Sequence, residues 1–197
     1  MTQPNPAATA RSHQTRSAIV RAMADLAAQH RLGAIRIDTI AATAGIGRST
    51  FYDHFHSKGE VVIALFDPVL LHLANCASAR LPQAALQQLI DHLWEGRHRL
   101  RPLLDSAAAK PLQRKLAGLI ADRRQRGGGD PRPLLAVATA SGQLAMLRAW
   151  LAGDHAAEPA AFARDLAAFS ADPFSERTGS PVRHGSTSGT APPGAAP

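Results

Sequence analysis

The stretch that decides the fold reads IDTIAATAGIGRSTFYDHFHSK and covers residues 37–58. Four apolar residues in it recur at i, i+3, i+4 and i+7, the spacing of one helix face: Ile37, Ile40, Ala41 and Ala44. Gly45 follows at the position where many helices end in a left-handed conformation. The pattern therefore predicts a short helix that stops at Gly45.

A second short helix is predicted from Arg48 to His54. Phe51 and Phe55 are four residues apart and point to one side, which leaves the opposite side free. The polar side chains that lie largely on that free side are Ser49, Thr50, Tyr52 and Asp53. Two short helices joined by a glycine-containing turn form a helix-turn-helix, whose second helix lies in the DNA major groove. The alternative is a helical hairpin that only packs against the rest of the protein.

Residues 40–58, IAATAGIGRSTFYDHFHSK, closely resemble the DNA-binding signature of the tetracycline-repressor-like (TetR) transcriptional regulators. The resemblance spans residues 16–65, and its YxHFxxK core is in register with the alanines and glycines before it. It implies a DNA-binding regulator of transcription. One departure is Arg36, because the family often has Thr or Ser there as a helix cap. Asp38 in the first turn still favours the positive end of that helix.

Chemistry and the resemblance together predict which side chains contact DNA. The candidates for base edges are Arg48, Ser49, Thr50 and Asp53. Arginine favours guanine, and aspartate accepts a hydrogen bond from cytosine. The positions that match phosphate-holding residues of the family are Tyr52, His54 and Lys58. Arg16 is a further phosphate candidate.

The whole chain is predicted to be all-α. An N-terminal three-helix helix-turn-helix DNA-binding domain precedes a helical-bundle domain for ligand binding and dimerisation. The predicted parts are a flexible arm over residues 1–11, the DNA-binding domain over 12–56, the regulatory and dimerisation domain over 57–169, and a disordered tail over 170–197.

Boundary signals place the helices around the central stretch. The first helix is expected from Ser12 to His30, with Gly33 as a left-handed stop. Ser57 and Glu60 have the spacing of a capping box and predict the start of a fourth helix. This fourth helix should run from Lys58 toward Ala79, kinked or interrupted by Pro68.

The C-terminal half contains several more amphipathic segments. The expected helices are one after Pro82, a short one between Pro102 and Pro111, and three others over 112–126, 134–151 and 159–169. Residues 127–131, GGGDP, form a linker. The basic run RHRLR at 97–101 is interpreted as a solvated helix end, with nucleic-acid contact as the alternative.

The resemblance also implies the partners. In that family the last two helices of each subunit commonly form a four-helix dimer bundle, so a homodimer on double-stranded DNA with a palindromic site is expected. Packing within one chain is the alternative for these helices. A small-molecule effector is expected in the C-terminal domain, and no motif in the sequence indicates its chemical class. The scattered residues His72, His92, Trp94, His98 and Trp150 are candidates for a pocket or, more simply, for packing.

Composition limits the remaining function classes. The chain has 197 residues, 45% of them hydrophobic, and a formal charge of +7, which suits a globular protein with a polyanionic partner. Its single cysteine, Cys76, cannot form an internal disulfide and is interpreted as a packed side chain. No signal peptide or membrane span is recognised, so a cytoplasmic protein is expected.

No enzyme, metal site or cofactor is predicted from these patterns. Neither a nucleophile with its base nor a histidine pair with ligand spacing is found in the sequence. The resemblance therefore implies a ligand-responsive repressor. The competing hypothesis is an architectural DNA-binding protein without a ligand switch, which would bind DNA with little sequence preference.

Overall fold

The computed structural model describes residues 6–78 and 80–171, with side chains described from residue 9 onward. Within these residues the chain forms helices and no strand, which confirms the predicted all-α class. The helices are α1 Pro6–Gln29, α2 Ile37–Thr43, α3 Arg48–His54, α4 Lys58–Leu65, α5 Asp67–Cys76, α6 Gln83–Glu95, α7 Arg97–Leu104, α8 Ala109–Arg126, α9 Pro133–Ala152 and α10 Pro159–Ser170. Residues 1–5 of the predicted arm and residues 172–197 of the predicted tail lie outside the described residues.

Both ends of α1 differ from the prediction. The helix begins at Pro6 rather than Ser12, so the second half of the predicted arm is helical. Proline suits a first turn, where its missing N–H needs no partner, and the alanines that follow are strong helix formers. At the other end α1 stops at Gln29, and a short 3-10 helix, Leu32–Ala34, follows. Gly33 lies inside this turn and does not adopt the predicted left-handed conformation.

The α4–α5 segment is interrupted near the predicted proline. The Ser57 hydroxyl accepts a hydrogen bond from the Glu60 N–H at 3.2 Å, so Ser57 caps α4 as predicted, while the Glu60 carboxylate accepts one from the N–H of His56, the residue before the cap, at 2.9 Å. α4 ends at Leu65 and α5 begins at Asp67, with a bend of 47° between them. Pro68 lies in the first turn of α5, where it removes no intrahelical hydrogen bond.

The predicted helix between Pro102 and Pro111 is wrong. Pro102 lies inside α7, which is a helix over Arg97–Leu104, and a turn over residues 105–108 follows. α8 then begins at Ala109 and contains Pro111 in its first turn, where the missing N–H has no intrahelical partner to lose. Neither proline is the helix boundary that the sequence indicates: Pro111 suits a first turn, and α7 accommodates Pro102 at the loss of one intrahelical hydrogen bond.

α9 is the central helix of the C-terminal domain and packs against α7, α8 and α10. By length and composition alone it is apolar enough to span a membrane, as is the bent α4–α5 pair taken together, which the sequence reading did not expect. However, α9 behaves as a core helix. Its fully buried Gln143 donates hydrogen bonds to the Leu73 carbonyl at 3.0 Å and to the Ser170 hydroxyl at 2.8 Å. These bonds tie α9 to α5 and α10.

The aromatic pocket candidates pack against each other. The Trp94 and Trp150 rings stack with centroids 4.7 Å apart, and the Trp150 and Phe162 rings stack at 4.2 Å. The Trp150 indole N–H donates to the Ala157 carbonyl at 2.9 Å. These rings therefore join α6, α9 and α10 in the core. Cys76 is also buried, and this burial raises the pKa of its thiol, as expected for an unreactive packed side chain.

Gly142 on α9 permits close contact with α10. A Cβ at this position would lie 2.1 Å from Cζ of the Phe169 ring and 2.7 Å from Cε1. We expect Gly142→Ala to lower the free energy of unfolding by about 1 kcal/mol. Displacing the Phe169 ring costs more packing energy than the higher helix propensity of alanine restores. Urea unfolding followed by circular dichroism measures the change.

Gly118→Ala is the matched control for this prediction. Gly118 lies inside α8, is exposed, and has nothing within 4 Å of an added Cβ. The substitution Gly118→Ala should therefore raise the free energy of unfolding by about 0.5–1 kcal/mol through helix propensity alone. Equal stabilisation by both substitutions would show that the Phe169 ring moves aside without cost.

Candidate nucleic-acid interface

The helix-turn-helix is formed by α2, the turn at Gly45 and α3. Gly45 has φ of 69°, the predicted left-handed conformation, which strains residues with a Cβ. Ala41 on α2 is buried and lets the two helices approach closely. Phe51 and Phe55 are 0% and 1% exposed, with ring centroids 6.1 Å apart. The inner side of α3 is therefore anchored in the core of the N-terminal domain, as predicted.

The opposite side of α3 faces solvent. Ser49 and Asp53 are exposed, Tyr52 is 39% exposed, and Thr50 and His54 are half-buried. The structure thus leaves Arg48, Ser49, Tyr52 and Asp53 exposed on one side of α3, with Thr50 and His54 half-buried at its edges. We call this surface, formed by Arg48, Ser49, Thr50, Tyr52, Asp53 and His54, the reading face.

Arg48 on the reading face is held by two neighbours. Its guanidinium donates to the Asp38 carboxylate at 2.8 Å and lies 3.5 Å from the Tyr52 hydroxyl. The hydrogen bond with Tyr52, followed by the charge of Asp38, raises the pKa of Arg48 above its ordinary value. From the sequence, Asp38 was predicted only to interact with the positive end of the α2 dipole. Its contact with Arg48, which joins α2 to α3 across the turn, was not predicted.

Arg16 is directed toward the protein rather than toward open solvent. It is half-buried, its guanidinium lies 4.2 Å from the centroid of the Phe55 ring, and it is 3.4 Å from the His54 carbonyl oxygen. A cation at the C-terminal end of a helix is stabilised by the helix dipole. Arg16 therefore fixes the end of α3, which favours a positioning role over the phosphate contact that was expected.

Lys58 is also occupied by the protein itself. Its ammonium donates hydrogen bonds to the Leu32 carbonyl at 2.6 Å and to the Ile35 carbonyl at 2.8 Å, and the side chain is half-buried. These carbonyls belong to the connection between α1 and α2, where the Leu32 carbonyl also accepts a longer hydrogen bond from the Ile35 N–H at 3.3 Å. The geometry favours a structural role for Lys58 over the predicted phosphate contact. Nothing in the local sequence indicates this pairing, because the partners are more than twenty residues away.

The basic run in α7 makes contacts within the C-terminal domain. The Arg97 guanidinium lies 4.5 Å from the Trp94 ring centroid and donates to the Trp94 carbonyl at 3.1 Å. Arg101 is 3.9 Å from the Asp105 carboxylate. Arg101 thus lies on a solvated helix surface, in line with the predicted solvated helix end, whereas Arg97 is half-buried against Trp94.

The arrangement of α2, the turn at Gly45 and α3 is that of a helix-turn-helix, a common DNA-binding motif. Residues 19–65 match the family model described as "Bacterial regulatory proteins, tetR family". The N-terminal helices are therefore similar to the DNA-binding domain of TetR-type regulators of transcription.

Solved structures of TetR-type regulators share the fold over about four fifths of the chain. A TetR transcriptional regulator from Rhodococcus sp. RHA1 is 13% identical, with a TM-score of 0.56, covering 81% of this chain and 94% of that one. FadR from Thermus thermophilus, a TetR-family repressor in complex with lauroyl-CoA, is 21% identical, with a TM-score of 0.50, covering 79% and 92%. No curated protein sequence matches the chain significantly. At these identities the likeness extends to the fold and no further.

Proposed function

We propose that the protein is a dimeric repressor that reads a palindromic operator through α3 and is released from it by a small ligand. The observation that carries the proposal is the division of α3 into two sides. Phe51 and Phe55 fix its inner side in the core, while the reading face stays accessible. A helix anchored in this way presents its polar side chains to a major groove in one orientation.

On the reading face, we assign base contacts to Arg48, Ser49, Thr50 and Asp53. Asp38 keeps the Arg48 guanidinium close to the first turn of α2, so that less conformational entropy is lost when it contacts a guanine. Tyr52 and His54 are assigned to the flanking phosphates. The formal charge of +7 favours this polyanionic partner in general.

The dimer is assigned to the last two helices, α9 and α10. α9 exposes large apolar side chains at its N-terminal end, with Leu134 86% and Val137 43% exposed. Ala138 and Ala145 are also exposed and continue this side of the helix. Exposed apolar residues at helical spacing are typical of a surface that a second subunit covers. Two copies of α3 would then read two half-sites.

Selection of bound DNA from a random pool tests this function. A palindromic sequence, enriched over many rounds, supports the dimeric regulator. If no sequence is enriched while random DNA is bound tightly, the architectural alternative is favoured. Binding is compared at one salt concentration, because phosphate contacts make every affinity depend on salt.

We expect Arg48→Ala to weaken binding to the selected operator by about tenfold to a hundredfold, the value of one bidentate base contact. Binding to random DNA of the same length should fall much less. Fluorescence anisotropy with both DNAs measures the ratio. Arg114→Ala removes the same charge from an exposed position on α8 and should leave the ratio unchanged. Equal losses on both DNAs for Arg48→Ala would contradict the base contact.

A further inference from the structure

A groove separates the C-terminal end of α1 from the corner between α6 and α7. It consists of two adjoining hollows, with volumes of about 610 Å³ and about 240 Å³, that share Ala27, Arg99 and Leu103. Volumes of this order are typical of small-molecule sites. The groove lies between the DNA-binding domain and the regulatory domain, and both domains contribute residues to its walls.

The floor of the groove is apolar. Ala24 and Ala27 come from α1, Leu65 from the end of α4, and Leu103 from α7. Leu103 is buried, and the other three are half-buried. An elongated apolar group laid along this floor would cover surface that is now partly open to water, which is favourable in proportion to the area covered.

The rim of the groove is basic. Arg31 lies after the end of α1, while His98 and Arg99 lie in α7. Among the residues that the structure describes, no acidic side chain lines either hollow. Within residues 6–78 and 80–171, the structure gives neither the Arg31 nor the Arg99 side chain a hydrogen bond or an ion pair, whereas Arg48 and Arg101 each have an aspartate partner. The rim therefore offers two guanidinium groups to an anion.

We infer that this groove binds an amphiphilic anion, a carboxylate or phosphate carried on an extended apolar chain. The apolar floor takes the chain, and Arg31 and Arg99 at the rim take the anionic group. Guanidinium groups suit both carboxylate and phosphate because their donors form a planar fork.

The groove also has a direct connection to the DNA-binding domain. One of its walls includes Leu32, and the carbonyl of Leu32 accepts the hydrogen bond from Lys58, the first residue of α4. A ligand in the groove thus touches α1, the 3-10 turn that Lys58 holds, and α7 of the regulatory domain. If its affinity differs between two arrangements of these elements, it shifts the population between them. This consequence rests on the proposed function, for which the groove supplies the class of effector.

Calorimetric titration of the full chain with sodium decanoate, below its micelle concentration and without DNA, tests the site. We expect decanoate to bind. Both 1-decanol and acetate should bind at least about tenfold more weakly, because 1-decanol lacks the anionic group and acetate lacks the apolar chain. Arg99→Ala should weaken decanoate binding by about tenfold, the value of one charge-assisted hydrogen bond. Arg101→Ala is the matched control on the same helix, because Arg101 does not line the groove.

Absence of decanoate binding overturns the inference, as does 1-decanol binding as tightly as decanoate. Equal losses for Arg99→Ala and Arg101→Ala overturn it too, because they would indicate a general effect of net charge. The titration contains no DNA, so these outcomes concern the groove alone. Failure to select an operator would overturn the proposed function instead and would leave a measured ligand site in place.

Discussion

Phe51→Ala is expected to lower the free energy of unfolding of the N-terminal domain by about 3–5 kcal/mol and to abolish operator binding. Phe51 is fully buried, and its ring contacts those of Phe55 and Tyr52 at centroid distances of 6.1 Å and 5.5 Å. Removing the ring leaves a cavity below α3, whose seven residues are too few to hold a helix without tertiary packing. Urea unfolding monitored by circular dichroism and anisotropy on the selected operator measure the two losses.

Tyr52→Ala separates the two sides of the same helix. Tyr52 is adjacent to Phe51 in sequence but 39% exposed, so its removal should cost less than about 1 kcal/mol of stability. Operator binding should nevertheless weaken, because the hydroxyl is assigned to a phosphate and steadies Arg48 at 3.5 Å. If Tyr52→Ala destabilised the domain as much as Phe51→Ala, α3 would not be divided into a packed side and a reading face.

The helix-turn-helix could be predicted from sequence because its signals are local. The spacing of Ile40 and Ala41, the left-handed Gly45, and the pair Phe51 and Phe55 each act within a few residues, and the structure has all of them as expected. The capping box at Ser57 is local in the same sense. Such features depend on helix geometry alone, so a single sequence is enough to locate them.

Contacts between distant residues could not be predicted. The ion pair of Asp38 with Arg48 joins two helices, and Arg16 reaches His54 from a different helix. In the sequence, any lysine or arginine of a DNA-binding domain is a candidate for a phosphate contact, because the residue type does not show which way its side chain points. For Arg16 and Lys58, the fold supplies backbone carbonyls that compete with phosphate.

The boundary errors have a related cause. Pro102 and Pro111 were both interpreted as helix ends, yet one lies within α7 and the other in the first turn of α8. The sequence shows that a proline lacks its N–H, but not whether that N–H would have had a partner. For Pro111 this depends on where α8 begins, whereas Pro102 lies inside α7 next to the buried Leu103 and Leu104 and lacks one intrahelical hydrogen bond.

Lys58→Met is expected to lower the free energy of unfolding by about 2 kcal/mol in the absence of DNA. The substitution keeps most of the apolar stem but removes the ammonium, which leaves the Leu32 and Ile35 carbonyls without their charged donor. Hydrogen bonds to a charged group contribute about 1.5–3 kcal/mol, and the half-buried position of Lys58 lowers the expected total. Urea unfolding of the variant and of the unchanged protein at one salt concentration gives the difference.

A matched control is Lys110→Met, which makes the same replacement at an exposed position on α8 and should change stability by less than about 0.5 kcal/mol. The phosphate hypothesis predicts the opposite pattern for Lys58→Met: unchanged stability, and a salt dependence of DNA binding whose slope falls by about one. Stability is measured without DNA and the salt dependence is measured with DNA, so the structural role and the phosphate contact predict different results. A lysine that joins the start of α4 to the α1–α2 connection stabilises the domain in the absence of DNA. Its effect on the reading face is then indirect, because the folded domain holds α3 in position.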